Sequence, residues 1–154
     1  MILEDLMKGG AVVTGLRPTG KKQALHLVAS KAANTLGLSA DALLKSIMDR
    51  EQLGSTGVGG GVAIPHASCA GLNAITGFFF RLENSIDFDA IDDGPVDLVF
   101  LLLAPDEDGA THLRALAQVS RVLRRPDVRE KIRNAPDDAA IMALLCGEQH
   151  SNAA

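Results

Sequence analysis

Tryptophan and tyrosine are absent from the 154 residues, and phenylalanine occurs only five times. Proteins that grip single-stranded nucleic acid stack bases on aromatic side chains, so this sequence serves that class poorly. Basic residues are also in deficit. Fifteen Lys and Arg against 19 Asp and Glu leave a formal net charge of -4. A general nucleic-acid binder needs a basic footprint that this balance does not supply. Cysteine is scarce, and Cys69 and Cys146 stand in no CxxC spacing. They read as free thiols of a reducing compartment, with a single disulfide left open by sequence alone. No window approaches the ~20 apolar residues of a membrane span. Met1 to Gly10 carries Glu4 and Asp5 and lacks the apolar core of a signal peptide. A cytoplasmic protein without membrane insertion is expected.

What is present is an ordinary globular composition, 47% hydrophobic and 22% charged, in a chain of one-domain length. Ala11–Leu16 is short and β-branched and is broken by Pro18 and Gly20, as a strand would be. Lys21–Leu36 has a helical period, with Leu25, Val28, Ala32 and Leu36 on one face and Gly37 as a stop. Ser39 is placed to cap a second helix that ends near Gly54. Gly54–Gly61 holds five glycines in eight positions and reads as a loop. Val62–His66 is extended, and Pro65 ends any inner strand there. Ala74–Leu82 and Val96–Ala104 are apolar strands, the second covered on both faces. Thr111–Arg125, Asp127–Asn134 and Asp137–Leu145 are helical, and the tail over 147–154 is expected to be disordered. Strands alternating with helices predict an α/β fold: one domain over 1–154, with a sheet sandwiched between helices.

Two loops carry glycines where phosphate chemistry would want them. Gly15–Lys22 matches the spacing of GxxxxGK but ends in Lys22, with no Ser or Thr to hold magnesium. It is expected to be a turn, with Thr19 capping the next helix. The second loop leads into Pro65-His66. Its glycines let backbone N–H groups approach an anion, Ser55 and Thr56 add hydroxyls, and a strand end delivers His66. A neutral imidazole beside such a cradle can attack phosphorus and carry the group as a phosphoramidate. On the residues alone, that reading and a purely structural loop weigh equally.

His112 heads the stripe Leu116, Val119 and Leu123 and is expected to point toward the sheet. It sits in a first helical turn, where the dipole disfavours imidazolium. It reads either as a donor to a phosphoryl oxygen or as a polar residue finishing a helix end. Residues 114–133 hold seven basic and two acidic side chains, which reads as a solvated face. Asp87, Asp89, Asp92 and Asp93 lack the ligand order of a calcium loop, so no metal site is expected.

Gly54–Ala67, GSTGVGGGVAIPHA, resembles the IIA components of the fructose/mannitol class of the bacterial phosphotransferase system. His112-Leu113-Arg114-Ala115-Leu116 resembles the family's second histidine at a helix head, and Arg50 the arginine that precedes the loop. One variable family position, often Asn, is Gly60 here, where loop stiffness rather than chemistry should respond. The resemblance runs from Val12 to Cys146 and is most like the family's nitrogen-regulatory branch. It implies a mixed sheet between helices. It further implies that His66 accepts phosphate through Nε2 from an HPr-type phosphocarrier. Arg50 and His112 would then face the phosphoryl oxygens, with Ser55, Thr56 and Gly57 near them. Regulated proteins such as sensor kinases or transporters are the implied partners, and no cofactor is implied. A sugar-specific IIA subunit and an idle binding module remain the alternatives.

Overall fold

The computed structural model describes residues 3–105 and 109–153, with side chains described up to residue 147. The elements run α1 (Leu3–Met7), β1 (Val12–Leu16), α2 (Lys21–Leu36), α3 (Ala40–Leu53), β2 (Gly57–Gly59), β3 (Val62–Ala63), β4 (His66–Ser68), β5 (Thr76–Ile86), β6 (Val96–Ala104), α4 (Gly109–Leu123), α5 (Pro126–Asn134) and α6 (Asp138–Ala153). The strands form one mixed six-stranded sheet in the order β1-β5-β6-β3-β2, with β4 also pairing β6. β1 lies parallel to β5, β5 antiparallel to β6, and β3 and β4 parallel to β6.

The two apolar strands sit at the centre because nothing in them needs water. Side chains alternate across a strand, so Phe78 and Phe80 face one side and Phe79 the other. Phe78, Phe80, Val99 and Leu101 pack on α2 and α3, with Leu25, Val28, Leu43 and Ile47. Phe79, Phe100 and Leu102 pack on the other helices, with Leu3, Val119, Ile132 and Ile141. The α/β sandwich expected from the alternation of strands and helices is therefore the fold observed.

Several boundaries differ from the sequence reading. Ser39 caps α3 as expected, its hydroxyl accepting from Ala42 N at 3.2 Å. Thr19 does not cap α2. Gly20 is the N-cap residue, and the Gln23 side chain accepts the Thr19 N–H at 2.6 Å. α1 was hidden because five residues are too few to show a helical period, yet Leu3 and Leu6 are fully buried. α6 runs from Asp138 past Gly147 to Ala153. A glycine costs a helix interior only about 1 kcal/mol, and extending an existing helix avoids nucleation.

The glycine-rich stretch is not wholly a loop. Gly57–Gly59 pairs antiparallel with Val62–Ala63, turning through Gly60 and Gly61 at φ 66° and 83°. Both lie in the left-handed region that suits glycine. Gly60 N–H donates to Asp92 Oδ2 at 3.1 Å, and Arg133 donates to Gly60 O at 2.9 Å. The basic stretch is thus partly structural. Arg133 pairs with Asp97 at 2.8 Å, and Arg129 caps the end of α4 by donating to Leu123 O and Arg124 O. β3 stops before Pro65, as expected, but the chain resumes the same line beyond it. Val62, Ala63 and His66 pair with Leu98, Val99 and Leu102 in one unbroken register, so β3 and β4 are a single line along β6, interrupted at Ile64-Pro65.

Candidate functional site

His66 starts β4 rather than ending a strand, opposite Leu102 near the C-terminal end of β6. Its neighbour Ala67 packs into the α2–α3 core, so the imidazole lies on the other face, toward α4. There the His112 ring stands edge-on, 5.3 Å away between centroids and at 88°. From the opposite side Arg50, in the last turn of α3, donates from Nε to His66 Nε2 at 3.1 Å. Its Nη1 donates to Gly54 O at 2.9 Å, so the guanidinium is braced from two directions. Arg50, His66 and His112, far apart in sequence, are brought together.

The hydrogen bonds assign the tautomer. His66 Nδ1 lies 3.0 Å from Ile64 O, which can only accept. Nδ1 therefore carries the proton, and Nε2 presents a lone pair. The Arg50 contact agrees, since a guanidinium only donates. Burial is the main cause that pushes the His66 imidazole below its ordinary 6.5. The Ile64 hydrogen bond opposes it, Arg50 adds to it, and Glu51 opposes it. Burial and then the neighbouring His66 push His112 down as well. Its Nε2 is buried and has no hydrogen-bond partner among the described residues. A neutral nucleophile, a fixed cation and an unused ring nitrogen thus converge on one half-buried spot.

The lowered histidines predict a sign for acid stability. Each folded imidazole resists the proton that the unfolded chain takes up near pH 6.5. Their contribution is present above about pH 6.5 and is lost as pH falls through the lowered folded values. Urea midpoints should therefore drop between pH 8 and pH 5, and the drop should shrink in the His66→Ala, His112→Ala double variant. An equal drop in both proteins would remove these histidines from the account.

Ser55, Thr56 and Gly57 are hydrogen-bonded within the loop. Ser55 Oγ donates to Phe88 O at 2.8 Å and accepts Gly57 N–H at 3.0 Å. The Thr56 hydroxyl is buried and donates to Glu51 Oε1, while its N–H donates to Glu51 Oε2 at 3.2 Å. The two hydroxyls and the Thr56 and Gly57 N–H groups hold the loop in shape. Sequence reasoning missed Glu51, although a carboxylate beside Arg50 and two residues from an exposed Leu53 was a visible irregularity in the α3 stripe. It likewise read Lys21 only as part of a failed nucleotide motif. Lys21 Nζ sits 2.9 Å from Glu51 Oε2 and 4.7 Å from the centre of the Phe88 ring.

Among the described residues, no group of three or more His, Cys, Asp or Glu side chains could hold a metal ion. The four acidic residues of the 87–93 loop do other work: Asp92 accepts from Gly60 N and Gly94 N, and Lys21 lies 3.8 Å from Asp89. Cys69 and Cys146 are free thiols. No described helix is long and apolar enough to cross a membrane.

Comparison with known proteins extends over this same architecture. A nitrogen regulatory protein of Bradyrhizobium diazoefficiens is 46% identical over 145 residues, covering 94% of this chain and 95% of that one. Another, from Pseudomonas aeruginosa, is 35% identical and covers 96% and 97%. The crystal structure of nitrogen regulatory protein IIA-Ntr from Neisseria meningitidis superposes with a TM-score of 0.86 at 30% identity, covering 93% of this chain and 98% of that one. The family model described as phosphoenolpyruvate-dependent sugar phosphotransferase system, EIIA 2, matches residues 5–147. With the histidine pair and its arginine at the centre of that matched region, the chain belongs to the EIIA type 2 family of the phosphotransferase system.

Proposed function

We propose that this chain is a phosphoryl-accepting regulatory IIA protein of the nitrogen phosphotransferase branch. The observation that carries the reading is the His66 tautomer: with Nδ1 held by Ile64 O, Nε2 alone carries the lone pair that can attack phosphorus once Arg50 yields it. An HPr-type phosphocarrier presents its phosphohistidine in line with Nε2. The His66 Nε2–P bond forms as the N–P bond of a ring-protonated carrier phosphohistidine breaks; the carrier's imidazole leaves neutral with its own ring proton, and phospho-His66 keeps its Nδ1 proton on Ile64 O. Arg50 moves from the lone pair to the phosphoryl oxygens, where its planar fork fits. His112 supplies a single donor from the α4 side. Ser55, Thr56 and Gly57 contribute through the loop they brace rather than by binding the group. No cofactor is needed, because transfer between imidazoles requires only positioning and charge stabilisation.

The regulatory role is supported by the relatives that match over almost their whole length, which carry that name. The protein then acts in the cytoplasm on regulated partners according to its phosphorylation state. Leu53, Val58 and Leu113 lie exposed on the elements that build the site, and small apolar surfaces of this kind suit a carrier that must dock and leave. The test is incubation with phosphoenolpyruvate, enzyme I and each candidate carrier, followed by phosphohistidine mapping. Label on His66 that is not passed on to a sugar-specific IIB component supports the regulatory reading. Efficient onward transfer to such a component favours a transport subunit instead. No label at all reduces the chain to a binding module.

A further inference from the structure

One buried charge lies next to the site yet touches neither the nucleophile nor the phosphoryl position. The Glu51 side chain is 4% exposed. Its carboxylate accepts from the Lys21 ammonium of α2 at 2.9 Å and from the backbone and hydroxyl of Thr56. A buried ion pair of this kind roughly breaks even for stability against an apolar pair, so stability alone gives it no clear reason to exist. Its connections offer one. Thr56 N–H donates to Glu51, Thr56 O accepts from Ile64 N at 2.9 Å, and Ile64 O accepts from His66 Nδ1 at 3.0 Å. The hydrogen bonds therefore tie the Lys21–Glu51 pair, residue by residue through Thr56 and Ile64, to the proton that fixes the His66 tautomer. Glu51 is also the neighbour of Arg50 on the last turn of α3, so a single turn of helix sets both ends of the site.

We propose that Glu51 is a positioning residue for phosphoryl transfer: held by Lys21, its buried carboxylate anchors Thr56 and, through the backbone of Ile64, the His66 ring, while keeping Arg50 in register. Glu51 also acts at a distance through its charge. The groups facing His66 are Arg50 and Glu51 from α3 and His112 from α4, and Lys21 from α2 reaches His66 only by way of Glu51. The carboxylate opposes Arg50 and offsets part of the downward push that Arg50 exerts on the imidazole. This positioning role rests on His66 being the phosphoryl acceptor.

The test compares Glu51→Gln and Lys21→Met with the wild type in two measurements. One is the His66 titration midpoint by imidazole NMR, which needs no phosphate. The other is single-turnover transfer from purified phospho-carrier over a range of carrier concentrations. Glu51→Gln should slow transfer at saturating carrier by about 10- to 100-fold, as expected when reacting groups drift by a fraction of an ångström to one ångström. The half-saturating carrier concentration should not change. The His66 midpoint should fall in Glu51→Gln and rise in Lys21→Met, because the two lost charges have opposite signs. Wild-type transfer in folded Glu51→Gln, a loss confined to half-saturation, or midpoints that move the same way in both variants would overturn the proposal. If Glu51→Gln does not fold, Lys21→Met decides on the same criteria, with slowed transfer and a raised midpoint supporting the role and wild-type values for both refuting it. Failure of the wild type to label at His66 would instead overturn the acceptor reading, and the titrations would still report on Glu51.

Discussion

Replacing His66 by Ala is expected to abolish phosphate acceptance while leaving the protein folded. The loss should be complete because only one nitrogen at the site is both unprotonated and presented to a partner. His66 Nε2 has its lone pair toward Arg50, whereas Nδ1 is committed to Ile64 O. His112 is no substitute. Its Nε2 is buried, and the ring meets His66 edge-on rather than facing outward beside it. The fold should survive because the imidazole belongs to neither apolar cluster and is only half-buried. Its removal creates no core cavity, so the change in unfolding free energy should stay near the ~0.5 kcal/mol typical of surface substitutions. Acid-labile, alkali-stable phosphate is measured after incubation with the phospho-carrier, alongside a urea transition. Such phosphate persisting in the variant would sink the assignment, and its disappearance from His112→Ala alone would move the acceptor to His112.

Arg50→Ala is expected to slow transfer by ~10²–10³, the loss typical of removing one preorganised donor from a site of developing charge. It should exceed the loss in His112→Ala. The guanidinium is permanently charged, planar and braced by Gly54 O, so little freedom is lost when it engages two phosphoryl oxygens. The neutral His112 ring offers one donor at most. Arg50 has two opposed effects, which the rates will separate. In the resting protein its Nε occupies the Nε2 lone pair at 3.1 Å and must yield before attack. Its gain at the transition state therefore has to exceed the cost of that release. Slow labelling of His66 should persist in Arg50→Ala, because the acceptor remains. Arg50→Lys should recover only part of the rate, since a point charge lacks the fork. A time course with purified phospho-carrier measures all three variants. An Arg50→Ala protein that transfers faster than wild type would show that the resting contact masks the nucleophile more than the arginine helps the transition state.

The elements that could be read from sequence are those whose apolar period is long and uninterrupted. α2 over Lys21–Leu36 and β6 over Val96–Ala104 match residue for residue, because sixteen residues of helical period or nine of near-continuous apolar character leave no alternative. Short elements were lost for the converse reason: α1 is five residues long and β2 three. The strand in the glycine stretch formed because the antiparallel pairing with Val62–Ala63 and the bonds from Asp92 and Arg133 outweigh glycine's poor local preference. Those partners lie about 30 to 70 residues away along the chain, where no local pattern can announce them.

The candidate site divides along the same line. The sequence by itself determined the residue types and the family: a glycine-rich approach, a Pro-His at an extended segment, an arginine ahead of it and a histidine at a helix head. Only the tertiary structure decided that these meet, through the common register of β3 and β4 on β6 and through the packing of α3 and α4 around the edge that β4 leaves open. It also tied the Ser55 and Thr56 hydroxyls into the loop and paired Lys21 with the buried Glu51 beside Arg50. The physical reason is that a side chain's chemistry is set by its own atoms, whereas its role depends on which partner satisfies those atoms. A hydroxyl in a glycine loop looks the same in sequence whether it faces a phosphoryl group or a buried carboxylate. Folding settles the matter, because a carboxylate taken out of water must find its donors, and Thr56 and Lys21 are within reach.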